Sequence, residues 1–137
     1  MKILFVCRAN VGRSQMAEAI LNSLSSDHMA TSAGLNPPAQ WEGERLSKTQ
    51  YVAPCMAEIG LDVSEKVSKR LIESMVIDVD KIVVIGERNN WPQFLTDSDK
   101  VTFWDIIDPD IGEMELHRQV RDEIRKRIVE LCGDARE

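Results

Sequence analysis

The chain has 137 residues, of which 43% are hydrophobic and 29% are charged, with a formal net charge of -6 at pH 7. These values are typical of one folded domain with a single substantial core, so we predict one domain over residues 1–137. The acidic charge argues against nucleic acid as a partner. No apolar run approaches the about 18 residues of a membrane span, and the apolar N-terminal run ends too early for a secretory signal. We therefore expect a cytoplasmic protein that binds neither nucleic acid nor membrane.

Strand-like and helix-like patterns alternate along the chain. A continuous apolar run over residues 2–6 predicts a strand buried on both faces. Apolar residues at three- and four-residue steps from Ser14 to Leu24 predict an amphipathic helix. Further strands are predicted over residues 28–34, 80–86 and 101–106. Further helices are predicted over residues 47–60, 68–75 and 113–132, with Gly60 and Gly133 as C-terminal caps.

This alternation of strands and helices predicts the α/β class. Parallel strands joined by right-handed helical crossovers form a small, doubly wound sheet with helices on both faces. In such sheets, ligands bind beyond the carboxyl ends of the strands. The segment that follows the first strand is therefore the first place to look for a functional site.

That segment reads ILFVCRANVGRSQM over residues 3–16, and it runs from the strand through a loop into the first helix. Successive backbone N–H groups in such a turn converge into an anion-binding nest, and the first turn of the helix adds unpaired N–H groups. Gly12 allows a close approach, and Asn10 tolerates a left-handed conformation. We predict that the loop binds a tetrahedral oxyanion. Its residues are Arg8, Ala9, Asn10, Val11, Gly12, Arg13 and Ser14.

Cys7 lies at the base of this predicted nest. Helix N-termini and nearby cations favour the thiolate form of a cysteine, and Ser14 has a hydroxyl that can donate to sulfur. The planar fork of Arg13 can bind two oxygens of one anion. This arrangement suits thiolate attack on phosphorus or arsenic and needs no metal or cofactor. The alternative is that Cys7 merely ends a buried strand and Arg13 is a solvated residue at the start of a helix.

Attack at phosphorus expels an oxyanion that leaves more easily when it is protonated. Three acidic residues follow the fourth predicted strand: Asp105, Asp108 and Asp110. Pro109 fixes the backbone beside Asp108, which makes Asp108 the preferred proton donor and Asp105 the alternative.

The stretch VCRANVGRSQMAE resembles the signature of the low-molecular-weight protein tyrosine phosphatase superfamily, which includes thiol-dependent arsenate reductases. The segments TSAG, EIGLDVS and DP extend the resemblance along nearly the whole chain. The resemblance implies a four-stranded parallel sheet flanked by helices and a single phosphatase-like catalytic domain. It also implies a role for six residues: Cys7 as nucleophile, Arg13 as phosphate clamp, Asp108 as general acid, Ser14 as thiolate stabiliser, Asn10 as organiser of the loop and Ser32 as its supporting partner.

The preferred function is a cysteine-dependent phosphatase that hydrolyses protein phosphotyrosine or small aryl phosphates through a cysteinyl-phosphate. The phosphatases of the family usually carry aromatic residues after the Asp-Pro pair, whereas this chain has Asp110 and Ile111. Trp41 or Trp91 is a candidate for that wall, with ordinary loop packing as the alternative for each. The expected partner is thus a phosphorylated protein or a small oxyanion.

Two other functions remain open. An arsenate reductase would use a small-molecule or protein thiol to resolve a Cys7–arsenate adduct. The thioredoxin-coupled reductases of the superfamily carry two cysteines after the third strand, and that loop has none here. We expect Cys55 and Cys132 to be buried, apolar side chains. A non-catalytic module that binds phosphate or another anion is the third possibility.

Overall fold

The computed structural model describes the backbone of residues 1–136 and the side chains of residues 1–133. Four strands form one sheet in the order β2-β1-β3-β4, and every neighbouring pair is parallel. The strands are β1 (Lys2–Cys7), β2 (Met29–Gly34), β3 (Lys81–Ile85) and β4 (Val101–Trp104). The predicted α/β class with a four-stranded parallel sheet is confirmed.

Helices cover both faces of this sheet. They are α1 (Arg13–Leu24), α2 (Val52–Ala57), α3 (Glu73–Ile77), α4 (Gln93–Thr96) and α5 (Met114–Arg136), with single 3-10 turns at Leu46–Lys48 and Pro109–Ile111. One apolar core joins α1, α2 and α5 to the sheet and includes Phe5, Ile20 and Ile124. A second core on the opposite face includes Leu4 and Leu95. Within residues 1–136, no helix is both long and apolar enough to cross a membrane.

The central strand β1 delivers Cys7 to the carboxyl edge of the sheet. Its residues from Ile3 to Cys7 are buried because helices cover both faces, and this explains the continuous apolar run. Cys7 pairs with Gly34 of β2. A Cβ atom at Gly34 would lie 2.9 Å from the carbonyl oxygen of Arg8, so the chain after β1 turns tightly over this glycine.

The helix predicted over residues 68–75 begins later, at Glu73. Residues 69–71 run beside β2 instead: the Gly34 amide donates to the Lys69 carbonyl and the Leu71 amide donates to the Gly34 carbonyl, each at 2.8 Å. These bonds take the backbone groups that a helix would need. The predicted helix start at residue 68 was wrong because residues 69–71 bond to β2, a contact with a distant part of the chain that local sequence does not indicate.

Two other predicted elements are shorter than expected. The helix predicted over residues 47–60 is reduced to α2, in which Pro54 is the third residue and costs no intrahelical hydrogen bond. Gly60 follows α2 with φ +80°, as expected of a glycine that ends a helix. The fourth strand stops at Trp104 rather than at residue 106.

The last helix is longer than predicted. It continues through Gly133 to Arg136, so Gly133 is an interior residue and not a cap. A Cβ atom at this position would meet nothing within 4 Å.

This difference makes a stability prediction. Glycine inside a helix costs roughly 0.5–1 kcal/mol relative to alanine, so Gly133→Ala should raise the free energy of unfolding by about that amount. Gly60→Ala is the matched control, because its Cβ also has open space but its φ of +80° should make alanine destabilising by about 1 kcal/mol. Urea unfolding of both variants measures the two effects. A destabilised Gly133→Ala would show that Gly133 does end the helix.

Candidate active site

The loop after β1 forms the floor of a cavity of about 650 Å³. Cys7, Arg13 and Gly12 line this floor, and so do the neighbouring loop residues Arg8, Ala9 and Val11. Asn10 and Ser14 do not line it, because both are fully buried behind the loop. The loop thus separates residues that face the cavity from residues that support it.

Asn10 holds the loop in shape from behind. Its φ of 58° is left-handed, and its Nδ2 donates to Ser14 Oγ at 2.7 Å and to Ser32 Oγ at 3.0 Å. Since Ser14 Oγ already accepts from Asn10, its own hydrogen is available for Cys7 Sγ, 3.0 Å away. The network therefore orients a hydroxyl donor towards the sulfur of Cys7.

The acceptor side of Asn10 is also occupied. Its Oδ1 accepts from the Lys69 amide at 3.0 Å and from Gln15 Nε2 at 3.1 Å. A further tie joins Ser68 Oγ to the Ala9 carbonyl at 2.8 Å. The segment beside β2 thus braces the loop, which the sequence prediction of a helix over residues 68–75 did not anticipate.

A partly buried ion pair between Glu18 and Lys66 completes the network. Ser32 Oγ donates to Glu18 Oε1 at 2.9 Å, and Lys66 Nζ lies 2.6 Å from Glu18 Oε2. Glu18 is almost fully buried, so its carboxylate requires both partners to offset the loss of hydration. The predicted site residues included neither Glu18 nor Lys66. The four-residue step from Ser14 to Glu18 on one helix face was the available signal.

Arg13 is 3% exposed and is held by groups from the two segments that follow β3 and β4. Its Nη1 donates to the Ile106 carbonyl at 2.9 Å, and its Nη2 lies 3.6 Å from Asp108 Oδ2 and 3.8 Å from Glu87 Oε2. Gly86, with φ +119°, packs directly against the guanidinium. No motif links residues 86 and 87 to Arg13, and the one local signal is a glycine directly after a predicted strand.

Asp108 lies opposite Cys7's loop, on the rim of the same cavity. Its Oδ1 accepts from the Asp110 amide at 2.9 Å, and its Oδ2 lies 3.5 Å from Arg8 Nη2. These contacts fix the carboxylate above the loop. Asp110 also lines the cavity, whereas Asp105 is exposed and does not line it.

The side walls of the cavity come from three segments. Trp41 lines it, and Tyr51 and His117 line it as a ring pair with centroids 5.0 Å apart. Trp91 instead packs near Phe103 with ring centroids 6.5 Å apart. The sequence therefore offered Trp41 correctly as a wall candidate and missed the contribution of Tyr51 and His117, which adjoin no motif.

The other two thiols lie outside this cavity. Cys55 and Cys132 are buried and free, as expected. Arg121 Nη1 donates to the Cys55 carbonyl at 2.9 Å and lies 3.7 Å from its sulfur. Burial raises the pKa of Cys55, with the positive charge of Arg121 acting in the opposite direction.

The polar groups of the cavity suit an anion. Through residue 133, no three His, Cys, Asp or Glu side chains are grouped so that they could hold a metal ion. The loop offers a guanidinium and a strand-to-helix turn of backbone amides over the sulfur. Such a site can hold a tetrahedral oxyanion against a thiolate while a carboxyl group faces it.

Comparisons with known proteins agree with this geometry. A family model described as low molecular weight phosphotyrosine protein phosphatase matches residues 2–136. The chain is 31% identical to a glutaredoxin arsenate reductase from Synechocystis, covering 96% of each chain. It is 27% identical to a protein-arginine-phosphatase from Bacillus subtilis, covering 96% of this chain and 95% of the relative. The crystal structure of a Bacillus subtilis YwlE mutant superposes with a TM-score of 0.84 at 25% identity, covering 100% and 99% of the two chains.

Gly86→Ala should disable the anion site, and because Gly86 has φ +119°, alanine should also destabilise the fold by about 1 kcal/mol or more. A Cβ atom there would overlap the Arg13 guanidinium and lie 2.9 Å from its Cζ, so Arg13 must move. Losing one charge-assisted contact should weaken phosphate or tungstate binding by about tenfold or more. Calorimetric titration of the oxyanion measures the change, with Gly133→Ala as the control. Unchanged affinity in folded Gly86→Ala would mean that Arg13 does not hold the anion.

Proposed function

Since this chain belongs to the low molecular weight phosphotyrosine protein phosphatase family, we propose that it hydrolyses phosphomonoesters through a covalent phosphate on Cys7. The family membership confirms the resemblance found in the sequence. The cytoplasmic location stays a prediction.

One observation carries the proposal: Cys7, Arg13 and Asp108 border one cavity although about a hundred residues separate the first from the last. A module that only binds an anion has use for Arg13, but it needs neither a nucleophile nor a proton donor. The carboxylate of Asp108 would even repel an anion in such a module. The combination is therefore better explained by catalysis than by binding alone.

In the first step, the Cys7 thiolate attacks phosphorus in line with the leaving oxygen. An S–P bond forms while the P–O bond to the leaving group breaks, and Asp108 gives its proton to the departing oxygen. Arg13 and the amides of residues 8–14 stabilise the charge on the equatorial oxygens. Ser14 donates to the sulfur and so keeps the thiolate ready.

In the second step, water attacks the phosphorus of the cysteinyl-phosphate. Asp108, now a carboxylate, takes a proton from this water, and the S–P bond breaks to return the Cys7 thiolate. Inorganic phosphate leaves, and the enzyme is restored with no metal ion in the cycle.

The substrate must fit beside Trp41, Tyr51 and His117. A cavity of about 650 Å³ accommodates an aryl phosphate or a phosphorylated side chain. We propose phosphotyrosine or a small aryl phosphate as the substrate class. Phosphoarginine is a second candidate, since one relative is a protein-arginine-phosphatase and Asp110 offers a carboxylate to a guanidinium where an aromatic residue was expected.

Arsenate reduction is the competing function, favoured by the 31% identity to an arsenate reductase. The Cys7 thiolate would attack arsenic and form an S–As bond, while an As–O bond breaks and its oxygen leaves as water after protonation. A thiol from solution would then attack the Cys7 sulfur and form a mixed disulfide, while arsenic leaves as arsenite with the two electrons. A second thiol would reduce this disulfide. The reductant would come from outside the chain, because neither Cys55 nor Cys132 lines the cavity that Cys7 lines.

Substituting the nucleophile and the acid separates their roles. Cys7→Ser should abolish hydrolysis of p-nitrophenyl phosphate, and Asp108→Asn should lower kcat by about 10²–10⁴. The loss in Asp108→Asn should be smaller for leaving groups of low pKa, which need less protonation. A series of aryl phosphates measures this slope. Normal turnover by Cys7→Ser would refute the proposed mechanism.

A parallel assay decides between the candidate functions. Phosphate release from phosphotyrosine and phosphoarginine peptides is compared with arsenite release from arsenate plus glutathione or glutaredoxin. We expect phosphotyrosine hydrolysis to be fastest. Faster arsenite formation that requires Cys7 would assign the chain as a reductase, and oxyanion binding without turnover in every arm would leave a binding module.

A further inference from the structure

A second cavity, of about 340 Å³, lies outside the candidate active site. It opens between β2 and α3. Leu4, Met29, Met75 and Val79 give it mainly apolar walls, and Lys69 and Ser32 add polar groups. The volume is at the lower end of the range, about 300–1,000 Å³, that holds small molecules.

One residue of β2 leaves its backbone groups unpaired at this cavity. β2 is an edge strand, and Ala30 uses its outward amide and carbonyl to bond the side chain of Asn22 at 2.9 and 3.1 Å. Gly34 uses its outward groups to bond Lys69 and Leu71. Alternate residues of a strand turn their backbone groups to the same edge, so those of Ser32 also face outward. We find no bond to them from the described segments that flank this edge.

Lys69 brings a positive charge to the same cavity. Its side chain is half-buried, and no carboxylate lies within 4.0 Å of its ammonium among the described side chains. Burial lowers the pKa of Lys69, while the more distant Glu18 acts in the opposite direction. Asp78 also lines the cavity but is exposed, so water screens its charge. An anion bound at Lys69 would supply a negatively charged partner for its ammonium.

We propose that this cavity binds a small carboxylate with an apolar tail, whose oxygens accept from the Ser32 amide and from Lys69. The apolar walls take the tail. An extended peptide does not fit this edge, because Asn22 blocks it at Ala30 and residues 69–71 block it at Gly34, which leaves a single residue to pair. One amide donor beside one ammonium matches a carboxylate group.

The site has a direct connection to the phosphate-binding loop. The Lys69 amide donates to Asn10 Oδ1, and Asn10 also donates to Ser32 Oγ. A ligand that contacts Ser32 and Lys69 is therefore connected through Asn10 to Ser14, which donates to Cys7. Because a bound carboxylate neutralises a cation behind the loop, it should lower the reactivity of Cys7 towards an alkylating reagent.

Hexanoate is the probe. Two comparison ligands are measured beside it: 1-hexanol, which lacks the charge, and acetate, which lacks the long apolar tail. Amide chemical shifts of the isotope-labelled full chain are followed in phosphate buffer, so that the active-site loop is already occupied. We expect saturable shifts at Ser32 and Lys69 with hexanoate, at affinity about tenfold or more above either other arm. The binding is independent of whether the chain proves to be a phosphatase.

Two substitutions and one control sharpen the test. Lys69→Met keeps the backbone bond to Asn10 and should weaken hexanoate binding about tenfold or more, and Met29→Glu should weaken it by placing a carboxylate at the exposed mouth. Lys126→Met removes the same charge from an exposed site on α5 and should bind like the unsubstituted chain. Equal binding by Lys69→Met, no saturable shift with hexanoate, or shifts confined to residues 8–14 would each overturn the proposal.

The coupling between ligand binding at Lys69 and the reactivity of Cys7 is measured separately. The rate of Cys7 alkylation by iodoacetamide should fall about twofold or more with saturating hexanoate, and it should not fall in Lys69→Met. An unchanged rate at saturation would overturn the coupling to the loop while the binding site stands.

Discussion

The hydrogen bonds of Asn10 are the constraint on which the rest of the site depends. A left-handed residue at the centre of a seven-residue loop is unfavourable by itself, and four bonds to its side chain stabilise it. The side-chain amide hydrogens of Asn10 are directed to the hydroxyl oxygens of Ser14 and Ser32. The hydroxyl hydrogen of Ser14 is therefore available to bond Cys7. The geometry of a single buried amide thus determines which atom the sulfur meets.

Charge balance is the second requirement of the site. Arg13 is almost fully buried and would be costly to bury alone, so a carbonyl and two carboxylates surround it. On the proposed mechanism, an incoming oxyanion takes over part of this neutralisation. The oxyanion then replaces Asp108 as the ionic partner of Arg13, at the step in which Asp108 must donate a proton. The same contacts would hold the empty site together and prepare it for a substrate.

The side walls of the cavity come from segments of the chain other than the loop that forms its floor. The loop of residues 8–14 presents the chemistry, while the ring pair Tyr51–His117 and the indole of Trp41 come from segments that share no motif with it. Asp110 replaces one of the aromatic residues expected after Asp108. A family can therefore keep the reaction at sulfur and change its substrate by changing these distant segments.

The sequence by itself determined the strand that ends in Cys7, the loop that returns with Arg13 and Ser14, and the alternation that gives a parallel sheet. These features are local, because hydrophobic periodicity and a short motif lie within about twenty residues of chain. Only the tertiary structure decided that residues 69–71 pair with β2 instead of forming a helix, that Glu18 and Lys66 extend the Asn10 network through Ser32, and that Gly86 and Glu87 contact Arg13. Gly133 likewise read as a cap, since nothing local distinguishes a glycine that ends a helix from one that a helix continues through. For residues 69–71, Lys66 and Arg13, the partner lies on a segment that is distant in the chain, and the free energy of that contact outweighs the local preference of the residue.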